Sequence, residues 1–288
     1  MAEGPILIAV PNVSEGRDHS ALEQIETAFA PARFLDLHAD PDHNRSVFTL
    51  AAPQGELARG LANGARAVVE RVDLSSHEGL HPWVGALDVM PVVYLSDEQR
   101  GAACAELLTA AGLIGDELEV PVILYGELAT RPENRERAAL REGGRERIAE
   151  RLESGELVPD FGPPRPHPTA GVTLAAARPP LIAFNVEVEG TLEDARAIAA
   201  RIREGGSDGL PGVRAIGVQL GRAAQVSTNI EDHAAASPAQ VVAAVARHAP
   251  VAAAELVGLA PVAALADFPE GVPLRNRAVI EERLNYPR

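Results

Sequence analysis

The sequence predicts an α+β fold of two lobes, each a β-sheet with helices on one face. Three observations predict it. Hydrophobic residues make up 46% of the 288 residues and charged residues 23%, which is enough apolar material for a large core. Two stretches show the same order of elements, β-α-β-β-α-β. Within each stretch two strands follow one another without a helix between them, which argues against an alternating β/α barrel. We expect lobes at residues 1–178 and 179–288.

Hydrophobic periodicity defines the elements of the first lobe. Strands are predicted at Ile6–Val10, Arg33–His38, Arg45–Ala51 and Asp88–Leu95, and amphipathic helices at His19–Ala30 and Glu56–Val72. Further elements follow these six. They are a helix at about Asp97–Leu113, a buried strand at Val120–Leu124 and a charge-rich helical stretch at Pro132–Leu152.

The second lobe repeats the order of elements but not the sequence. Its strands are predicted at Leu181–Val188, Val213–Leu220, Gln225–Ile230 and Pro250–Leu256, and its helices at Leu192–Arg203 and Pro238–His248. Leu157–Gly171 contains five prolines and therefore cannot be regular helix or central strand. We interpret that segment as an ordered linker between the lobes.

Composition excludes several classes of function. The net charge is −15, from 41 acidic and 26 basic residues, so the chain lacks the basic footprint of a nucleic-acid-binding protein. Every basic residue is arginine, which excludes Schiff-base chemistry on lysine. The single cysteine, Cys104, excludes an intramolecular disulfide framework. No signal-peptide pattern or membrane-spanning apolar run is present, and a cytoplasmic protein is expected.

The most informative segment is Ser75–Asp88, which contains two histidines with a carboxylate between them, and the only tryptophan of the chain. His77 and His81 match the zinc-protease pattern H-E-x-x-H. Two histidines four residues apart bind one zinc ion together only on a helix. Gly79 lies inside the pattern and Pro82 follows it, so a turn is predicted instead. We expect no metal site here.

A second polar turn, His38–His43, alternates histidine and aspartate. Such a group can ligate a divalent ion. The favoured interpretation is a solvated turn whose aspartates cap the local backbone. In a third interpretation, one or two of these residues line a pocket without a metal.

Several motifs, in order along the chain, resemble those of the formiminotransferase family. They are Val10–Gly16, Asn44–Thr49, His81–Pro82, Gly85–Val89, Val122–Glu127, Pro159–Pro163, Ala183–Asn185 and Gln225–Asn229. No single motif is specific, but the ordered set is, and it spans nearly the whole chain. The resemblance implies two α/β lobes with a ligand groove between them. It also implies a stand-alone formiminotransferase, since the chain is too short for the cyclodeaminase domain that some members carry.

The resemblance implies that the chain transfers a formimino group from N-formimino-L-glutamate to tetrahydrofolate in histidine degradation. His81 is then the catalytic histidine, with Asn12, Asp40 and Arg45 as its assistants. The implied folate-contacting segment is Gly162–Gly171, and its candidate binding residues are Gly162, Pro163, Arg165, His167, Thr169 and Gly171. Arg178 is a further candidate, because its charge could hold the pterin or the anionic folate tail. Tetrahydrofolate is the co-substrate, no metal is expected, and the resemblance implies a homodimer.

The chemistry explains why these residue types are suitable. A histidine with a pKa near ~6.5 can take a proton from the attacking nitrogen and give one to the departing nitrogen. Asp40 or Asp88 could favour a cationic amidine, although Asp88 could equally cap its strand. Asn12 could bind the formimino group or merely form a turn. Arg45 could bind a substrate carboxylate or form a surface ion pair.

Two classes of rival function remain open from the sequence. One is hydrolysis of, or formyl transfer on, a related N-substituted glutamate within the same fold. The other is a non-catalytic protein that binds folate or a small acid. Release of glutamate with and without tetrahydrofolate distinguishes them.

Overall fold

A computed structural model describes residues 4–79, 82–221 and 223–285 of the chain. The chain divides between Arg178 and Pro179 into two compact units. Each unit has a β-sheet with helices packed on it and its own hydrophobic core. None of the helices within the described ranges is long and apolar enough to span a membrane.

The first unit contains a seven-stranded mixed sheet. Its strands are β1 (Ile6–Ala9), β2 (Asn12–Val13), β3 (Arg33–Asp40), β4 (Arg45–Pro53), β5 (Leu87–Val93), β6 (Val122–Leu124) and β7 (Thr173–Arg178). Both β1 and β2 pair with β4 on one side and β5 on the other, so they form one strand interrupted at Val10–Pro11. A proline cannot donate to the ladder, which explains the break. The spatial order is β3-β4-(β1, β2)-β5-β7-β6.

Helices cover both faces of this sheet. They are α1 (His19–Ala28), α2 (Leu57–Arg71), α3 (Arg100–Leu118), α4 (Arg137–Arg141) and α5 (Gly144–Glu153). Helices α1 to α3 share one core with Met90 and Val92 of β5. Helices α4 and α5 share another core with Val89, which points to the opposite face because successive side chains of a strand alternate. The prediction of helices on one face is therefore wrong for this unit.

The charge-rich stretch predicted as helical up to Leu152 is two helices rather than one. Gly143 and Gly144 have φ of +77° and +68°, values that glycine adopts without steric cost. The chain therefore leaves α4 after Arg141 and starts α5 in a new direction.

The proline-rich segment Leu157–Gly171 is not a linker between the lobes, so that prediction is wrong. After it the chain forms β7, which lies between β5 and β6 and pairs in parallel with both. The segment thus connects two parts of the first unit. The run Thr-Leu-Ala-Ala-Ala-Arg of β7 did not suggest a strand because alanine is depleted in strands.

The second unit contains a five-stranded sheet in the order β12-β11-β8-β10-β9. Its elements are β8 (Ile182–Val188), α6 (Leu192–Ile202), β9 (Val213–Leu220), β10 (Ala223–Ile230), α7 (Pro238–Ala246), β11 (Val251–Val257), β12 (Leu274–Arg275) and α8 (Ile280–Asn285). Capping boxes begin α6 at Thr191 and α7 at Ser237. The predicted elements of this lobe are confirmed; β12 and α8 were not predicted.

The close packing of α2 against α1 gives a stability prediction. A Cβ at Gly64 in α2 would overlap the ring of the fully buried Phe29. We expect Gly64→Ala to lower the free energy of unfolding by about 1–3 kcal/mol, the usual cost of overpacking. At Gly101 in α3 a Cβ meets no atom within 4 Å. Gly101→Ala is the control and should raise stability by about 0.4–1 kcal/mol. Urea denaturation measures the free energy of unfolding of both variants. Equal changes in Gly64→Ala and Gly101→Ala would contradict the close packing of Gly64 against Phe29.

Candidate active site

The motifs near the N-terminus and the segment before β5 meet in the first unit. The Ser14 backbone N–H donates to the Ala86 carbonyl at 2.8 Å, and the Ser14 hydroxyl donates to the Gly85 carbonyl at 2.8 Å. The Ser46 hydroxyl at the start of β4 donates to the Glu15 carbonyl at 2.6 Å. These hydrogen bonds, one from a backbone N–H and two from serine hydroxyls, fix three distant stretches of sequence beside one another.

At the centre of this region Asp88 is completely buried and ion-paired with two arginines. Its Oδ2 accepts from Arg45 Nη1 at 2.6 Å and also from Arg141 Nη2. Its Oδ1 accepts from the Val84 backbone N–H at 2.9 Å. Burial works to raise the pKa of Asp88, but the charges of Arg141 and Arg45 outweigh it and hold the pKa well below its usual value. Asp88 thus accepts a backbone N–H of the loop that precedes its strand and also pairs with two arginines.

Two predicted site residues, Asn12 and Arg45, belong to this cluster. Arg45 Nη2 donates to Asn12 Oδ1 at 2.9 Å, while Asn12 Nδ2 donates to the Val10 carbonyl at 2.7 Å. Asn12 is therefore more than a turn former, and Arg45 pairs with a buried carboxylate rather than a surface one.

Arg141 was not predicted as a site residue. It ends α4 within the charge-rich stretch, where arginines and glutamates alternate without an apolar context that would single one out. The available signal was Asp88 itself, an acidic residue at the start of an apolar strand. Such a residue requires a buried cation, although the sequence does not say which one.

Asn44 links the two polar turns. Its φ is +47°, a left-handed conformation that asparagine tolerates. Its Oδ1 accepts from the Gly16 N–H at 2.9 Å and its Nδ2 donates to the Glu78 carbonyl at 3.0 Å. Nδ2 also lies 3.3 Å from His77 Nδ1, within hydrogen-bonding distance.

The His77 ring is held in a largely apolar setting. It packs edge-on against Trp83, with ring centroids 4.9 Å apart. Burial lowers the pKa of His77, so this imidazole is neutral near pH 7. Residues 77–79 and 82–84 are not helical, as the glycine and proline predict. Leu80 and His81, the predicted catalytic histidine, lie outside the described residues.

Asp40 belongs to a separate hydrogen-bonded turn. Its Oδ2 contacts His43 Nδ1 at 2.6 Å, and its Oδ1 accepts from the backbone N–H groups of Asp42 and His43, each at 2.9 Å. Burial works to raise the pKa of Asp40, but these hydrogen bonds prevail and lower it to about 2. Within the described ranges no group of three His, Cys, Asp or Glu side chains could hold a metal ion.

The expected folate segment packs directly on the loop before β5. The Leu74 N–H donates to the Thr169 carbonyl at 2.9 Å, and the Ala86 N–H donates to the Ala170 carbonyl at 2.8 Å. Gly171 has φ of +67°, and a Cβ there would meet the Val84 carbonyl. Residues 169–171 are therefore held by backbone hydrogen bonds against the stretch between Leu74 and Ala86.

The remaining members of that segment have different settings. His167 Nδ1 accepts from the Ala170 N–H at 3.0 Å, and burial lowers its pKa, so the ring anchors the turn in its neutral form. Gly162 has φ of +80° and lies against the Val120 carbonyl. Pro163 is half-buried and Arg165 is exposed. Arg178 is half-buried at the end of β7, where its carbonyl accepts from the Tyr94 N–H at 3.3 Å.

Comparison with known families accounts for almost the whole chain. The model of the formiminotransferase domain, N-terminal subdomain, matches residues 6–178, and the model of the formiminotransferase domain matches residues 183–282. The chain belongs to the formiminotransferase family. The two matched ranges meet close to the Arg178–Pro179 boundary between the compact units.

Known relatives of this formiminotransferase chain are of two lengths. The formimidoyltransferase-cyclodeaminase of Sus scrofa is 38% identical over 277 residues, covering 90% of this chain and 50% of that protein. The relative from Mus musculus has the same identity and coverage, so the chain spans about half the length of these relatives. The glutamate formimidoyltransferase of Streptococcus pyogenes serotype M1 is 34% identical over 276 residues, covering 92% of each chain.

The Asp40–His43 pair of this formiminotransferase chain gives a pH prediction. The hydrogen bond with Asp40 raises the pKa of His43 above 6.5, against the effect of burial. We expect Asp40→Asn to lower the pKa of His43 measured by NMR titration. The stabilising effect of the pair is present below pH 6.5, provided Asp40 is ionised, and is lost as the pH rises through the pKa of His43 in the folded protein.

The free energy of unfolding, measured between pH 5 and 9, should therefore be higher for wild type than for Asp40→Asn, and the difference should shrink as the pH rises. Asp116→Asn is the control, since this exposed aspartate of α3 lies in a different element from the Asp40–His43 turn. An unchanged His43 titration in Asp40→Asn would refute the assignment.

Proposed function

We propose that this chain transfers the formimino group from N-formimino-L-glutamate to tetrahydrofolate, giving 5-formiminotetrahydrofolate and glutamate. Family membership over both units carries the proposal. A relative named glutamate formimidoyltransferase that this chain matches over 92% of both lengths supports it. We also propose a cytoplasmic homodimer.

The reaction requires movement of a proton rather than a covalent enzyme intermediate. The N5 nitrogen of tetrahydrofolate attacks the amidine carbon and loses its proton, and the carbon–nitrogen bond to glutamate then breaks as that nitrogen gains a proton. His81 is proposed to carry out both transfers, because an imidazole can accept and donate near neutral pH. His77 is the less suitable histidine, since its Nε2 is buried and has no partner in the described ranges.

Two polar side chains, Asn12 and Asp40, are proposed to orient N-formimino-L-glutamate and to favour its cationic form. Asn12 Oδ1 accepts from Arg45 and has a second lone pair, which can accept from an N–H of the cationic formimino group. Asp40, with a pKa of about 2, is ionised throughout the working range and favours a cationic amidine. Holding two substrates in one orientation supplies much of the remaining rate enhancement.

Tetrahydrofolate is proposed to bind along residues 162–171, with Arg178 nearby in sequence. The anchored turn at His167, Thr169 and Gly171 gives this segment a fixed backbone for ligand recognition. Arg165 and Arg178 carry the positive charge that an anionic folate tail requires in a chain without lysine.

Hydrolysis or formyl transfer on a related N-substituted glutamate, and non-catalytic folate binding, are the competing functions. Glutamate release from N-formimino-L-glutamate is the test. Release that depends on tetrahydrofolate supports the transferase, and release without it indicates a hydrolase. Binding of both ligands without release indicates a binding protein.

The proton-transfer role of His81 gives a mutational prediction. His81→Ala should lower kcat by roughly 10²–10⁴-fold, the usual contribution of a general acid–base group, and leave thermal unfolding unchanged. The control is His19→Ala, which alters an exposed histidine at the start of α1. Turnover by His81→Ala at the wild-type rate would eliminate this role.

A further inference from the structure

The buried cluster around Asp88 contains more positive than negative charge. Arg45 and Arg141 share one carboxylate, and both of their ion pairs end on the same atom, Asp88 Oδ2. The remaining oxygen of Asp88 is occupied by the Val84 backbone N–H, and Asn12 contributes no charge. Arg45 and Arg141 are called here the arginine pair. Together with Asp88 they carry one excess positive charge.

In the part of the chain that the structure describes, neither arginine forms an ion pair with a second carboxylate. Arg137 lies over the Tyr125 ring, with its guanidinium carbon 6.0 Å from the ring centroid, and adds a further cation close to Arg141. Arg141 Nε is buried and has no hydrogen-bond partner within the described ranges. A buried, incompletely paired cation is costly unless a ligand completes its pairing.

The positions of the side chains show where a ligand could reach them. Asp88 is 0% exposed, whereas the side chains of Arg45 and Arg141 remain 11% and 12% exposed. Asp88 is therefore closed off from solvent, whereas a small part of each arginine side chain reaches the surface. Arginine presents several donors in one plane, so a guanidinium that pairs with Asp88 can bind a second carboxylate with its other N–H groups.

We propose that the arginine pair is a binding site for one carboxylate of the glutamate moiety of the donor substrate, and that Asp88 is the positioning residue that holds both guanidinium groups. This proposal rests on the proposed function and adds Arg141 as a residue that determines substrate specificity. Asp88 also holds the Val84 N–H, so the site is tied to the segment that contains His81.

The test measures binding without turnover. Calorimetric titration with L-glutamate, L-glutamine and L-isoglutamine compares an intact ligand with ligands that lack one carboxylate each. Wild type should bind glutamate at least ~10-fold more tightly than one of the two amides, since a charged hydrogen bond contributes about 1.5–3 kcal/mol. Arg141→Met should bind glutamate ~10–100-fold more weakly and bind that amide as wild type does.

Two further variants separate recognition from folding. Arg141→Lys retains the charge but not the planar fork, so its affinity for glutamate should lie between those of wild type and Arg141→Met even if the latter folds poorly. Arg147→Met, at an exposed arginine of α5, is the matched control and should bind all three ligands as wild type does.

The outcomes are distinct from those of the transferase assay, since no folate and no catalysis are involved. Equal weakening of glutamate and both amides in Arg141→Met and Arg141→Lys would show a merely structural role and overturn the proposal. Wild-type protein that does not distinguish glutamate from either amide would also overturn it. Carboxylate-selective binding without folate-dependent release would refute the transferase and leave the carboxylate site in place.

Discussion

The burial of one carboxylate constrains much of the first unit. Asp88 is at the start of β5, in a position without solvent, where an ionised group requires charged and hydrogen-bonding partners. Its partners come from β4, from α4 and from the loop that precedes β5. Three parts of the chain must therefore be in place together before this carboxylate is accommodated. Loss of either arginine would remove one of the three groups that hold this buried carboxylate, whereas the surface ion pairs of α5 are dispensable.

Most elements of the fold could be predicted because their hydrophobic patterns are strong. The helix α2 and all four strands of β8 to β11 lie within a few residues of their predicted bounds. The failures have physical causes. An alanine-rich strand such as β7 lacks the β-branched residues that indicate a strand, and its burial comes from neighbours distant in sequence. Two wrong predictions follow from missing that strand. One is the assignment of the proline-rich segment as a linker, and the other is the placement of all helices on one face of the first sheet.

The candidate site could be predicted only where its residues are close in sequence or belong to recognisable motifs. Asn12 and Arg45 were identified from motifs, and the structure joins them by a hydrogen bond. Arg141 was missed, since it lies 53 residues from Asp88 in a stretch with many arginines and glutamates. The need for a buried counter-charge is visible in the sequence, but the residue that supplies it is determined by tertiary packing.

The placement of β7 has a consequence for synthesis of the protein. This strand is among the last parts of the first unit to leave the ribosome, yet it occupies the gap between β5 and β6. Until it emerges, β5 and β6 each present an open edge that can pair with other chains. A nascent or proteolysed fragment that ends before residue 173 is therefore a candidate for misassembly, and the first unit becomes self-contained only once its final strand has been inserted.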